Sequence, residues 1–284
     1  MKKIPMLLCL AAGCLLNVGI ACAQETDSTG LPGDDFSLQG AIEMFKKAGS
    51  PEEFEKMINT ESNNVNNLDL NGDGQTDYIR VIDKSDKDVH AFVLQVAVSE
   101  SENQDIAVIE LEKNGSESAV LQIVGDEEIY GEQVIVEASD GSNDEEESPA
   151  KNGPSFNYDN SFMVVNVWMW PCVRFVYRPV YVPWVSPWRW KLYPTWWRPW
   201  HPMTWRVFHP LAFRYHPFCR VVRTHRVIAA HRVYTPFRTG SVIVRTRHAG
   251  AVRNYRVTRT RTTVTGPRGG KVKVTRTKVR GKRG

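Results

Sequence analysis

The hydrophobic positions change their period along the chain. Leu38, Ala41, Ile42 and Phe45 recur at helical spacing before Gly49, which predicts a short amphipathic helix. Ser50 then stands as a cap, Pro51 suits a first helical turn and Glu53 completes a capping box, so Phe54, Met57 and Ile58 form the apolar face of a second helix. From Tyr78 the period becomes two. Residues 78–83, 89–98, 106–113 and 119–124 are runs rich in β-branched residues, divided by polar or Gly-containing breaks, and a last short run lies at 134–136. Within the third run Ala107, Ile109 and Leu111 alternate with Glu110 and Glu112, the pattern of a sheet with one wet face. Asn114-Gly115 marks a tight hairpin turn after it. The expected class is α+β: a small head domain of two helices on a mainly antiparallel four- to five-stranded sheet, followed by a largely irregular or disordered Trp/Pro/Arg-rich region.

Beyond residue 160 neither period survives. Pro179, Pro183, Pro187, Pro194, Pro199, Pro202, Pro210 and Pro217 remove backbone donors and push their neighbours toward extended geometry, which disfavours helix and central sheet. All nine tryptophans lie between Trp168 and Trp205. Charge is segregated as well: residues 1–159 carry a formal −22 and residues 160–284 a formal +26, so the net +4 is a near-cancellation. These shifts divide the chain into 1–23, 24–35 (a Gly/Ser/Asp linker), 36–138 (the acidic domain), 139–160 (an acidic linker), 161–219 (the Trp/Pro/Arg-rich region) and 220–284 (a basic low-complexity tail).

The first segment has Lys2 and Lys3, an apolar run from Ile4 to about Ile20, and Ala21-Cys22-Ala23, the layout of a signal peptide cleaved after Ala23. It implies export to the periplasm or cell envelope. Anchoring as a lipoprotein through Cys14 or Cys22 is the alternative. Removal of the leader leaves Cys172 and Cys219, which either bridge in an oxidising compartment or stay as thiols; spacing alone does not choose.

The chemically most specific stretch runs from Asp69 to Asp77 (D-L-N-G-D-G-Q-T-D). Asp69, Asn71, Asp73 and Asp77 offer side-chain oxygens at positions one, three, five and nine, Gln75 offers its carbonyl, and Gly74 permits the bend, which together suit a hard cation such as calcium in a structural role. The other reading is a polar turn that needs no metal. The loop resembles the first nine residues of an EF-hand and the short D-x-N-x-D-G-x-x-D loops of the FG-GAP and dockerin kind. It departs from an EF-hand at position twelve, where Arg80 replaces the bidentate Glu, so a weak structural site of the extracellular class is expected, with Arg80 neutralising part of the loop.

In the Trp-rich region, Trp188, Arg189, Trp190, Trp196, Trp197, Arg198 and Trp200 combine indoles, which favour a water–lipid boundary, with guanidinium groups that pair with phosphate. They are the candidate contacts to a membrane or other polyanionic surface. The composition resembles that of Trp/Pro/Arg-rich cationic antimicrobial peptides, and an internal stack of Trp and Arg is the competing reading. For the basic tail the candidate partners are anionic envelope lipid or glycan, or the acidic head of the same or another copy. Export makes nucleic acid an improbable partner in vivo. His201, His209, His216, His225 and His231 are unevenly spaced among arginines, which reads as surface or stacking residues rather than ligands. No nucleophile elbow, zinc-protease, dithiol or phosphate-loop motif is present, so a non-enzymatic protein is expected, an enzyme in the head being the minor alternative.

The paired-helix start, the loop with its flanks (68–78), the segment 123–131 (I-V-G-D-E-E-I-Y-G) and the basic aromatic end (173–283) together resemble a group of uncharacterised secreted bacterial proteins. That resemblance implies export and the metal loop, and no activity.

Overall fold

The computed structural model describes residues 28–139, 164–265 and 271–280. The expected leader (1–23), the start of the first linker, almost all of the acidic linker and residues 266–270 and 281–284 of the basic tail lie outside the described residues.

Two helices open the fold, α1 (Leu38–Lys47) and α2 (Pro51–Ile58). Ser37 Oγ accepts from Gly40 N and Ser50 Oγ from Glu53 N, satisfying donors that the first turn leaves open. The Glu53 carboxylate reaches back to Gly49 N, one residue before the position a capping box specifies. Five strands follow in simple up-and-down order: β1 (Ile79–Asp86), β2 (Val89–Ala97), β3 (Asn103–Gly115), β4 (Ser118–Gly125) and β5 (Val134–Ala138), all antiparallel. A one-turn helix, α3 (Glu127–Tyr130), capped by Asp126, separates the last two. The β3–β4 turn falls at Ser116-Glu117 and not at Asn114-Gly115, because Gly115 pairs with Ser118 and a bulge after Lys113 absorbs the extra residue.

The class is α+β as expected, with one strand more than expected, and that strand comes from the basic half. The chain continues as α4 (Pro171–Val176), α5 (Trp205–Phe213), β6 (Cys219–Val222), α6 (Ile228–Tyr234), α7 (Val242–Arg247) and α8 (Ala249–Asn254), with irregular backbone between, and ends in a separate antiparallel pair, β7 (Arg256–Thr265) and β8 (Lys271–Arg280). Strand β6 pairs with β5 through Glu137 opposite Arg220 and Ala138 opposite Cys219. At the other edge, Asp83 N donates to Trp184 O (2.7 Å) and Ser186 N to Val81 O (3.0 Å), so the Pro-punctuated segment covers β1. Both sheet edges are thereby closed by the C-terminal half.

One face of the sheet packs on α1 and α2 through Phe45, Phe54, Phe92 and Ile109, and Val167, Trp170, Cys172, Val173, Val176, Tyr215 and Val244 join that same core. The two halves therefore share one hydrophobic interior. The opposite face is not wet: Ala91, Val93, Val108, Val124 and Ile135 pack beneath Tyr234 of α6, and Glu110 is fully buried. Helix α5 runs through Pro210 although prolines there predicted no helix. The buried pair Phe208 and Ala212, one turn apart, offsets the single backbone bond that Pro210 forfeits. Among the described residues no helix is long and apolar enough to cross a membrane.

Candidate functional site

The acidic loop before β1 is built as the sequence suggests, with Gly72 (φ +71°) and Gly74 (φ +80°) in the left-handed region that lets it curl. The oxygens are largely turned on the loop's own backbone. Asp69 accepts from the amides of Gly72 (2.7 Å), Asp73 (3.1 Å) and Gly74 (2.9 Å), Asp73 Oδ1 from Gln75 N (2.9 Å), and Asp77 Oδ2 from Leu70 N (2.6 Å). Asn71 Nδ2 donates to Asp73 Oδ2 (3.1 Å) and to Asp77 Oδ1 (3.4 Å), bringing three of the candidate ligands onto one point of the loop. Asp77 is buried, and loss of solvent, reinforced by the charges of Asp69 and Asp73, pushes its carboxyl up to about 7. The positive charge beside the loop is not Arg80, whose guanidinium holds Gln95 Oε1 and reaches toward the Trp188 carbonyl. It is Arg247 of α7, lying directly over Gly72. His201 Nδ1 meets Gly74 O at 2.8 Å, and Thr76 N donates to Trp200 O at 2.8 Å, so the aromatic segment braces the loop from its other side.

The seven aromatic and arginine candidates divide between two environments. Trp197 is buried in a cluster with Tyr78, Tyr193 and Trp200, and the Nε1 atoms of Trp197 and Trp200 have no hydrogen-bond partner. Trp188 and Trp190 are half-buried. Arg189, Trp196 and Arg198 are exposed, Trp196 at 45%. Trp188 and Trp196 also line a cleft of about 430 Å³ beside Tyr78 and Trp184, at whose floor lies Glu55. Burial raises the Glu55 carboxyl, and Tyr78 OH, Val81 N, Trp184 Nε1 and Ser186 Oγ all donate to it. A carboxylate whose oxygens take four donors is a joint between the halves and a poor proton acceptor for a substrate.

The largest concentration of charge lies on the sheet face that reads as solvent-facing. Glu110, Gln122 and Glu137 stand side by side on β3, β4 and β5, all buried. Arg220 and Arg226 both reach Glu137 (3.2 and 3.0 Å), while Gln122 accepts from the amides of Arg226 and Val227 and donates to Thr224 O. Farther along, Arg238 forks onto Asp126 (2.6 and 3.0 Å), Arg245 meets Glu128 (2.8 Å), and Asp105 accepts from Gln95, Tyr234 and Thr239. Burial pushes Asp105 up to about 6. The histidines at 225 and 231 both point at Glu110. His225 Nε2 contacts Oε2, His231 Nδ1 lies 2.7 Å from Oε1, and their rings are 4.4 Å apart in an edge-on arrangement. The sequence reads them as surface or stacking residues; they are half-buried, their rings do pack on each other, and both meet a buried carboxylate that the sequence does not point to. Sequence alternation placed Glu110 in solvent because the residues that cover it lie more than 110 positions downstream.

Cys172 and Cys219 are free thiols and form no bridge. Cys172 sits in the core, and Cys219 Sγ rests 3.8 Å from Gln39 O with burial pushing its thiol up to about 12.

Comparison with family models, curated proteins and solved structures finds no match to this chain.

Proposed function

We propose that the protein is a non-enzymatic, exported cell-envelope protein, whose acidic head is closed by its own basic segment and whose remaining cationic aromatic face holds anionic envelope lipid or glycan. The observation that carries this reading is the different fate of the arginines. Arg220, Arg226, Arg238 and Arg245 are engaged with head carboxylates, whereas Arg189 and Arg198, exposed in the same segment as Trp196, form no ion pair among the described residues, Arg198 donating only to the Thr195 and Trp197 carbonyls. Guanidinium and indole presented together suit a phosphate-bearing interface. The leader sequence and the likeness to secreted proteins support export, and the loop at 69–77 would hold calcium as a structural ion. Its donors are hard oxygens, which fits that ion, while the nearby Arg247 keeps the expected affinity low.

A second reading, a structural or assembly protein in which the basic segment of one copy seats on the head of another, draws on the same ion pairs made between molecules. Co-sedimentation of the full chain with vesicles of anionic and of neutral phospholipid separates the two. Near an anionic surface each arginine contributes about 1 kcal/mol, so Arg189→Ala with Arg198→Ala should lower partitioning roughly 30-fold. Unchanged partitioning in that double variant, or equal binding to neutral vesicles, removes the envelope-surface reading. A concentration-dependent dimer that Arg238→Met dissociates supports the assembly reading.

A further inference from the structure

We propose that Glu110, His225 and His231 form a binding site for a divalent transition metal of the zinc class, which fastens the segment after β6 onto the sheet. The inference is independent of where the chain acts and of what its aromatic face binds. The ligand atoms of these three residues all lie within 4.8 Å of one another, and among the described residues no other group of histidine, cysteine or carboxylate side chains does so. In a tetrahedral site, metal–nitrogen and metal–oxygen distances near 2.0–2.1 Å set ligands about 3.3 Å apart. The two imidazoles are partly exposed, which leaves their rings room to adjust toward that spacing. Glu110, by contrast, is fixed, with a side chain that is 0% exposed on the central strand β3.

The charges argue for a metal in the same place. Elsewhere on this side of the sheet arginines meet Glu137, Asp126 and Glu128, and neutral donors meet Asp105. Only Glu110 is met by two imidazoles, one on each oxygen. A dication shared by Glu110 and the two imidazoles would supply at one point the positive charge that no arginine supplies to this carboxylate among the described residues. Arg226, next to His225 in the chain, directs its guanidinium at Glu137. Two nitrogens and one oxygen select zinc, copper(II) or nickel over calcium and magnesium, which prefer all-oxygen sites. With the histidine side chains 20% and 32% exposed, water can complete the coordination.

The test is zinc titration of the metal-stripped full chain by calorimetry, together with the visible spectrum of cobalt(II) added in zinc's place. One high-affinity zinc should bind, and cobalt should give a ligand-field spectrum that zinc abolishes and millimolar calcium leaves alone. His225→Ala and His231→Ala should each weaken zinc binding at least about 100-fold, beyond the 10–100-fold typical of losing a mere supporting partner of a ligand. Far-ultraviolet dichroism in chelator checks that both variants keep the fold. Absence of tight zinc binding to the natural sequence overturns the proposal, and so does tight binding that survives the double variant. If the variants do not fold, the cobalt spectrum of the unaltered chain decides, since spectral features of oxygen-only coordination would equally reject the site.

Discussion

Arg238→Met tests whether the basic segment is held on the head by buried charge. Methionine keeps most of the aliphatic stem while removing the fork, so the change deletes two hydrogen bonds to Asp126, at 2.6 and 3.0 Å, together with longer ion pairs to Glu127 and Glu128. Asp126 also caps α3, accepting from Glu128 N, and its side chain is 2% exposed. Breaking a fully buried pair costs about 3–5 kcal/mol, and breaking an exposed one costs about 0–1 kcal/mol. The Arg238 side chain is 33% exposed, so water partly replaces it for the solvent but cannot reach the Asp126 oxygens. The expected loss is therefore about 2 kcal/mol, measured by urea unfolding followed through tryptophan fluorescence. A cycle with Asp126→Asn should return a coupling of about 1–2 kcal/mol, falling little between low and moderate salt because the pair is shielded. A loss below about 0.5 kcal/mol, or one no larger than that of the exposed Arg189→Met, would refute the idea that this pair clamps the two halves.

Asp105 gives the pH dependence. Its folded-state value of about 6 lies above the ordinary 3.8, so the folded chain holds this proton more tightly, and the resulting stability is present below about pH 4 and is lost as pH rises through about 6. Asp105→Asn should remove up to about 3 kcal/mol of that decline in urea unfolding between pH 4 and 7, and a pH profile identical to the natural chain's would contradict the assignment. Calcium at 10 to 100 times its dissociation constant should stabilise the chain by about 1.4–2.7 kcal/mol in a thermal melt, and Asp73→Ala should abolish the gain; no response in the unaltered chain eliminates the ion. Gly72→Ala should cost about 1–2 kcal/mol, since the residue sits at φ +71° and a Cβ would strike the Arg247 guanidinium. Part of that loss should return with Arg247→Ala, and a neutral Gly72→Ala would show the loop to be other than described.

What was legible in the sequence is what neighbouring residues decide. Leu38, Ala41, Ile42 and Phe45 mark α1, the cap Ser50 marks the start of α2, and the two-residue alternation marks β1 to β5, because local periodicity fixes which side chains share a face. The loop's glycines and aspartates likewise encode its curl. What was not legible depends on distant partners. Arg220, Val221 and Val222 have no pattern of their own and become a strand only by pairing with β5. Glu110 obeys the alternation of a solvent-facing residue until α6 covers it. Pro179 to Pro202 forbid regular structure, and the same absence of self-pairing leaves that segment free to pair with the β1 edge and brace the loop. The one sequence signal that pointed to this arrangement was the segregation of charge. It marked the two halves as complementary without saying which arginine meets which carboxylate.

Because the clasp over the sheet is assembled from the last third of the chain, the order in which segments become available to fold matters. Strands β1 to β5 precede Arg220, Arg226, His231 and Arg238 in the chain, so until those residues are in place the sheet has an open β5 flank and a row of carboxylates without their arginine and histidine partners. Mutual repulsion of those acids keeps the unfinished sheet from stacking on its neighbours. Residues 184–186 cover the β1 flank, and residues 219–222 with the arginines that follow cover the β5 flank and quench the repulsion, so protection by charge gives way to protection by fold.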